Sequence, residues 1–383
     1  MVAMKRYFLQ LLLPILGLLF LLTIFAVVPS VRAQTEPTIE PPSYFKGRVT
    51  EILEQRTISD EQKLYVQKLL VQRDDTGEQV EVTGGSEFQP LNEQQLVKKN
   101  TKVVLAEQTL FDGSKEVVLS DVYRMNTVYW LLALFIVVVV VIGGIKGAAS
   151  FFGMFTSLVI LLMFVIPQIL SGANPLLIGL IGSLLIGSVT IYISHGISIK
   201  SHIALASMCT VLLLVAGLAV MAVKAAHLVG LGSEEAYFLQ FTDTARINLQ
   251  GLLLAGILLG ALGVLDDITV SQVSIVFELF DTKKNISWLE LYERGLAVGK
   301  DHVASLVNTL VLAYAGANLP LFLLIVLNKQ SPTWVTLNSD ILVEEIIRTI
   351  AGSIGLVLAV PLSTFLAAQI VTRQKMKAVA KTK

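Results

Sequence analysis

The sequence predicts a polytopic α-helical membrane bundle of about eight spanning helices, the first an anchor or signal, with a small extracytoplasmic β-barrel-like domain. Three observations predict it. Only 15% of the 383 residues are charged and 54% are hydrophobic, whereas a soluble domain carries about 25% charged residues. Apolar runs long enough to cross a hydrocarbon core of about 30 Å recur along the chain. Between two of them one stretch, residues 34–126, holds 27 of the 58 charges. The 29 basic and 29 acidic residues cancel, so the basic excess that phosphate neutralisation needs is missing and no nucleic-acid partner is expected. A single cysteine excludes an intramolecular disulfide and a multi-cysteine metal site.

The first apolar run, Tyr7 to Val28, follows Lys5 and Arg6 and precedes Val31, Arg32 and Ala33, a spacing that a signal peptidase accepts. Its length is greater than that of most cleaved signals, so residues 1–33 form either an anchor or a signal helix. Either choice places residues 34–126 outside the cytoplasm. The next runs are Val128 to Ile145, Phe151 to Leu170, Pro175 to Ile193, Ile203 to Val223, Leu249 to Leu265, Val303 to Leu327 and Ile346 to Ile370. They make a seven-helix membrane domain over residues 127–372, followed by a basic cytoplasmic tail, 373–383. With the N-terminus inside, the inner loops collect Lys146, Lys200, Lys283, Lys284, Arg294 and Lys300, and the short outer loops hold only Lys224, Arg246 and Lys329. That bias predicts both termini in the cytoplasm.

Residues 34–126 contain 11 basic and 16 acidic residues, behind a stiff leader of Pro37, Pro41 and Pro42. Alternating stretches at Tyr44 to Leu53, Leu64 to Arg73, Gln79 to Thr83, Lys102 to Glu107 and Glu116 to Val122 read as strands. Turn signals at Asp75-Thr76-Gly77, Gly84-Gly85 and Asp112-Gly113 separate them. The result is a small antiparallel barrel of OB-like type. Its sparse aromatics and acidic balance argue against a nucleic-acid groove, leaving a docking or spacer domain or a different ligand.

Ionisable residues at membrane depth are costly and mark function by default. Asp266 and Asp267 close the sixth run; if the helix continues, Asp267, Ser271, Ser274 and Glu278 share one face. The alternative is an interfacial turn whose carboxylates stay in water. Asp301, Ser305 and Asn308, with Thr309, form a similar face at the start of the seventh run, and Asn308 can serve either function or helix packing. Glu344, Glu345 and Arg348 open the eighth run, where Glu344 and Arg348 have the spacing of an ion pair. His195, His202 and His302 fall on the cytoplasmic side without a recognised ligand spacing, so no metal is expected. No phosphate loop, nucleophile elbow or zinc helix motif occurs, and neither an enzyme nor a cofactor site is expected. An aspartyl intramembrane protease is disfavoured because Val264 and Leu265 separate Gly263 from Asp266.

These residues also carry a family resemblance. Gly251-Leu252-Leu253, the Leu259 to Gly263 run with Asp266, then Glu278, Gly295, Gly299, Asp301 and Asn308 to Gly316 resemble the signature of YibE/F bacterial multipass membrane proteins. Glu345, Arg348 and Gly352 to Leu362 continue the match, which spans roughly residues 125–372 and takes in the loop from Gly230 to Glu235. Lys300 stands where the family usually has arginine, which keeps a positive charge but not a guanidinium fork. Asp267 stands where an apolar residue is more common. The resemblance implies a bacterial inner-membrane protein. A shorter likeness, in the sixth and seventh runs, is to SecD/SecF and RND-type permeases, whose intramembrane carboxylates relay protons.

Two functions follow. The first is a secondary permease or proton-coupled export component, with Asp266, Asp267 and Asp301 exchanging a proton and Asn308 and Arg348 organising the pathway. The second is a membrane scaffold or assembly factor whose outer domain recruits a partner. Expected partners are membrane lipid, an unknown small solute or partner protein, and a second copy of the chain as a homo-oligomer.

Overall fold

A computed structural model describes residues 42–109, 115–241, 247–283, 285–327 and 331–381. The first apolar run, the Asp112-Gly113 turn, Arg246, Lys284 and Lys329 lie outside the described residues. Two compact units divide the chain, one around the strands and one from Val139 onward.

The first unit contains β1 (Ser43–Ser59), β2 (Leu64–Arg73), β3 (Gln79–Gly84), β4 (Leu91–Asn92), β5 (Lys102–Thr109) and β6 (Lys115–Val122). The order β1-β5-β6-β3-β2 returns to β1, which pairs with β5 over its first residues and with β2 along most of its length. Register shifts between Val49 and Glu51, Ile52 and Glu54, and Thr57 and Ser59 bend β1 so that the ring can close. The barrel is not wholly antiparallel as expected: β3 and β6 run parallel where they meet at Thr83 and Val118. Short β4 was not expected, because two residues leave no alternation to read. Val49, Leu69, Val71, Val82, Val97, Val103 and Leu105 fill the interior.

One polar side chain shares that core. Gln67 is buried, accepts from the Val97 amide at 2.8 Å, and donates to the Val97 carbonyl and to Gln55 Oε1, both at 3.2 Å. It replaces strand pairing for the segment after β4. Gln67→Leu should therefore destabilise the barrel by about 2–4 kcal/mol, since two buried backbone groups lose their partners. The midpoint of urea unfolding, followed by proteolysis of the barrel in the purified protein, measures this.

At the barrel surface Arg73 lies over the Phe45 ring, 3.6 Å from its centre. Its guanidinium donates to Asp75 at 3.0 and 2.8 Å and reaches Glu107 at 3.5 Å, which also holds Lys115 at 2.8 Å. The hydrogen bond from Arg73 holds Asp75 down to about 2. Lys115, then Arg73, hold Glu107 below its ordinary 4.5. Both carboxylates are depressed on folding, so their stabilisation is complete above pH 4.5 and is lost as pH falls toward 2. The urea midpoint should fall across that window, and Arg73→Gln should flatten the fall.

The helices are α1 (Met125–Leu170), α2 (Pro175–His195), α3 (Ile199–Ala225), α4 (Glu234–Gln240), α5 (Leu249–Thr282), α6 (Trp288–Ala317), α7 (Leu319–Leu327), α8 (Thr333–Leu337) and α9 (Asp340–Lys381). Asn174, Ser198, Asn248 and Ser287 cap α2, α3, α5 and α6 with side-chain oxygens, satisfying amides that have no partner within the helix. Among the described residues, five helices are long and apolar enough to cross a membrane: α1, α2, α3, α5 and α9. A sixth is added if α6 and α7, bent by 66°, form one broken span.

The eight expected spans are thus not all found. The first lies outside the described residues, and the second and third are joined in α1. Their boundary is Gly144, at φ 56° and ψ −139°, a conformation suited to glycine. A β-carbon on Gly147 would lie 2.3 Å from the Val139 carbonyl oxygen, a contact forbidden in a straight helix, where eight residues rise about 12 Å. The chain therefore turns sharply at this point.

Helix α5 is central, packing on α2, α3, α6 and α9. Leu258, Leu265 and Ile268 are fully buried beside Met208 and Leu212 of α3. Where α5, α6 and α9 meet, Gln272 is buried and donates to the Gly295 carbonyl at 2.8 Å and to Thr364 Oγ1 at 2.7 Å. Thr364 in turn donates to the Val360 carbonyl at 2.7 Å. Gly299, one turn beyond Gly295, lets α6 approach Val360 closely.

Candidate functional site

The run expected to end at Leu265 continues as helix to Thr282. The interfacial turn at Asp266 and Asp267 is therefore replaced by regular helix within the bundle. Both aspartates line a cleft of 300 Å³ with Ser150 and Met154 of α1, Thr190, Ser194 and His195 of α2, and Gly263 of α5. Asp266 is partly buried, and its Oδ1 is enclosed without a hydrogen-bond partner among the described residues. The Thr190 hydroxyl faces the Asp266 carboxylate and also has the Ile186 and Gly187 carbonyls of its own helix at 3.0 and 3.2 Å. Asp267 is exposed at the mouth. An enclosed carboxylate oxygen without a donor is a place for a proton or cation, and His195 supplies a second group able to exchange a proton.

Farther along the α5 stripe, Ser271 and Ser274 are half-buried, and exposed Glu278 pairs with Lys200 at 3.5 Å. Asp301 is not brought to Asp266. It lies on an exposed face of α6 with Ser305, Asn308 and Thr309, and lines neither cleft; exposed Thr309 donates from Oγ1 to the Ser305 carbonyl of its own helix at 3.1 Å. Helical spacing identified each polar face but not which neighbour it meets: the acidic face of α5 turns to α1 and α2, not to α6.

A second cleft, of 220 Å³, lies near the start of α5. Gly230, Gly232 and Ser233 from the loop before α4, Asn318 at the bend after α6, and Glu344, Glu345 and Arg348 of α9 line it with Leu249, Leu252 and Leu253. The expected Glu344 to Arg348 pair is not formed. Arg348 Nη1 donates to Glu345 at 2.5 Å, whereas buried Glu344 accepts the Gly232 amide at 3.0 Å. The loop sits so close that a β-carbon on Gly232 would be 2.5 Å from the Glu344 carboxylate. Asn318 Nδ2 donates to the Tyr314 carbonyl at 3.0 Å, satisfying a group at the α6 break. From Leu253 to Asp266, α5 rises about 20 Å, so one helix carries both clefts.

Glu344→Ala should leave the buried Gly232 amide unbonded, at a cost of about 1–3 kcal/mol. Hydrogen exchange of residues 230–233 should accelerate about tenfold or more, whereas Glu344→Gln, which keeps an acceptor, should preserve protection.

In the Asp266 cleft, three polar residues were not read as site residues from the sequence: Ser150, Thr190 and Ser194. The four-residue spacing from Thr190 to Ser194, one face of a helix, was the available signal. Gln272, a lone amide in an apolar stretch, was also legible in principle. Among the described residues no three His, Cys, Asp or Glu side chains converge in a way that could hold a metal ion.

Residues 131–373 match the family model described as YibE/F-like protein. No curated protein and no solved structure matches the chain. The matched region contains both clefts and every helix from α2 to the body of α9, so this membrane protein belongs to the YibE/F-like family.

Proposed function

We propose that the protein is a secondary permease or proton-coupled export component of the bacterial plasma (inner) membrane, with both termini cytoplasmic. Asp266 is the proton-exchanging group, and Asp267, His195 and Ser194 connect it to the cleft mouth. Arg348 and Glu345 organise the other cleft, at the far end of the same stretch of α5. The substrate is a small solute, and the driving force is an ion gradient, because no nucleotide motif is present.

The observation that carries this reading is the enclosed Asp266 Oδ1, without a hydrogen-bond partner among the described residues, on a helix whose buried neighbours Leu262, Leu265 and Ile268 are apolar. A polar group without a partner inside a membrane bundle is expensive, and transport pathways are where such expense is tolerated. Asp301, exposed on α6, has no part in this relay.

Proteoliposomes holding a lumenal pH dye test the reading. A potassium diffusion potential should drive proton influx in the unaltered protein and much less in Asp266→Asn, while Glu278→Gln, in a surface ion pair, should behave normally. Equal influx in all three would defeat the proposal. A scaffold built on the barrel forecasts the reverse: deleting residues 44–122 would abolish the cellular phenotype and Asp266→Asn would leave it intact.

A further inference from the structure

We propose that the exposed face of α6 is a twofold interface with a second copy of this chain. Asp301, Ala304, Ser305, Asn308, Val311 and Leu312 are all exposed, while the other side of the helix packs on α5 and α9. From Ala304 onward the face lies within the apolar run that begins at Val303, and Lys300 and Asp301 stand just before it. Asn308 has no hydrogen-bond partner, and neither Lys300 nor Asp301 has an ion-pair partner, among the described residues. Lipid tails offer Asn308 no partner, and polar side chains in spans turn toward protein or water.

A second copy fits this face better than lipid does. Asp301, Ala304, Asn308, Val311 and Ala315 recur at alternating intervals of three and four, the a and d positions of a heptad seam. Two copies in one membrane related by an axis along its normal present this seam in parallel and in register. An asparagine carries both donor and acceptor, so Asn308 satisfies its own symmetry mate. A single asparagine at an a position is also the device that fixes register and a two-stranded state. Ala304 and Ser305 permit close approach. In knobs-into-holes packing, a residue at a enters a hole whose wall includes the preceding g residue of the partner. Asp301 of one copy therefore meets Lys300 of the other, and the two charges left unpaired within the chain neutralise each other across the axis.

The full chain in liposomes tests this. In a Cys209→Ala background, Ala304→Cys and Asn308→Cys should form disulfide-linked dimers on mild oxidation. Leu213→Cys, on an exposed face of α3, should not. Independently, Asn308→Leu should weaken dimerisation in the Cys209→Ala protein by about tenfold, counted by single-molecule photobleaching across protein-to-lipid ratios. Single-step bleaching of the Asn308-containing protein at every ratio would overturn the interface. So would cross-linking of Ala304→Cys no faster than Leu213→Cys, or unchanged dimerisation of Asn308→Leu.

Discussion

Gly299→Val should separate α6 from the rest of the bundle. A β-carbon at this position would sit 2.4 Å from Val360 Cγ1 and 2.8 Å from Gln272 Oε1. Neither can yield easily, because Val360 and Gln272 are buried and Gln272 is fixed by its bonds to Gly295 and Thr364. Overpacking costs about 1–3 kcal/mol, and breaking the amide's two hydrogen bonds adds about 1–3 kcal/mol. Thermal unfolding in detergent should shift downward by about 4–24 °C. Trp288 reports the same junction, since its ring packs edge-on against Phe365 of α9 at 6.2 Å. With Trp130 and Trp334 changed to Phe, its half-exposed indole should lose the Phe365 contact and become more accessible to acrylamide quenching. Gly256→Ala is the control: nothing lies within 4 Å of an added β-carbon there, and helix propensity alone favours alanine by about 1 kcal/mol.

The second large effect is functional. Asp266→Asn keeps the size and polarity of the side chain, so the cleft with Thr190, Ser194 and His195 should persist and the bundle should melt as before. What it removes is a group that can gain and lose a proton. Gradient-driven flux should fall by about a hundredfold, the lower end of what a positioned proton-transfer group contributes. Asp267→Asn should cost less, because Asp267 is exposed at the mouth and water can substitute for it. An equal loss in both variants would assign the relay to the pair.

Much of the fold was legible because its signals are local. The strand from Leu64 to Arg73 has the bounds its alternation gave, and the acidic stretch forms the barrel expected. The bundle appears in the apolar runs because a membrane imposes length and composition directly. What escaped depends on distant partners. Glu344 has the right spacing to pair with Arg348, yet it binds the amide of Gly232, 112 positions upstream, and leaves Arg348 to Glu345. Asp266 and Asp301 carry similar polar faces on consecutive spans, but the choice of neighbour is made by packing. The small and buried residues around Gln272 turn α6 one way, and the crossing with α2 turns the acidic face of α5 the other. The turn at Gly144 falls at the end of the second apolar run, where the sequence separates it from the third; what the runs do not show is that helix resumes at once, with no loop between the two.

Whether the carboxyl of Asp266 changes protonation inside the membrane is settled most directly by infrared difference spectroscopy of the reconstituted protein between acidic and neutral buffer. The unaltered protein should show a carbonyl band of a protonated carboxylic acid, shielded from rapid deuterium exchange, that is lost in Asp266→Asn and retained in Asp301→Asn. An identical difference spectrum for the unaltered protein and Asp266→Asn would contradict a proton-exchanging role for this residue.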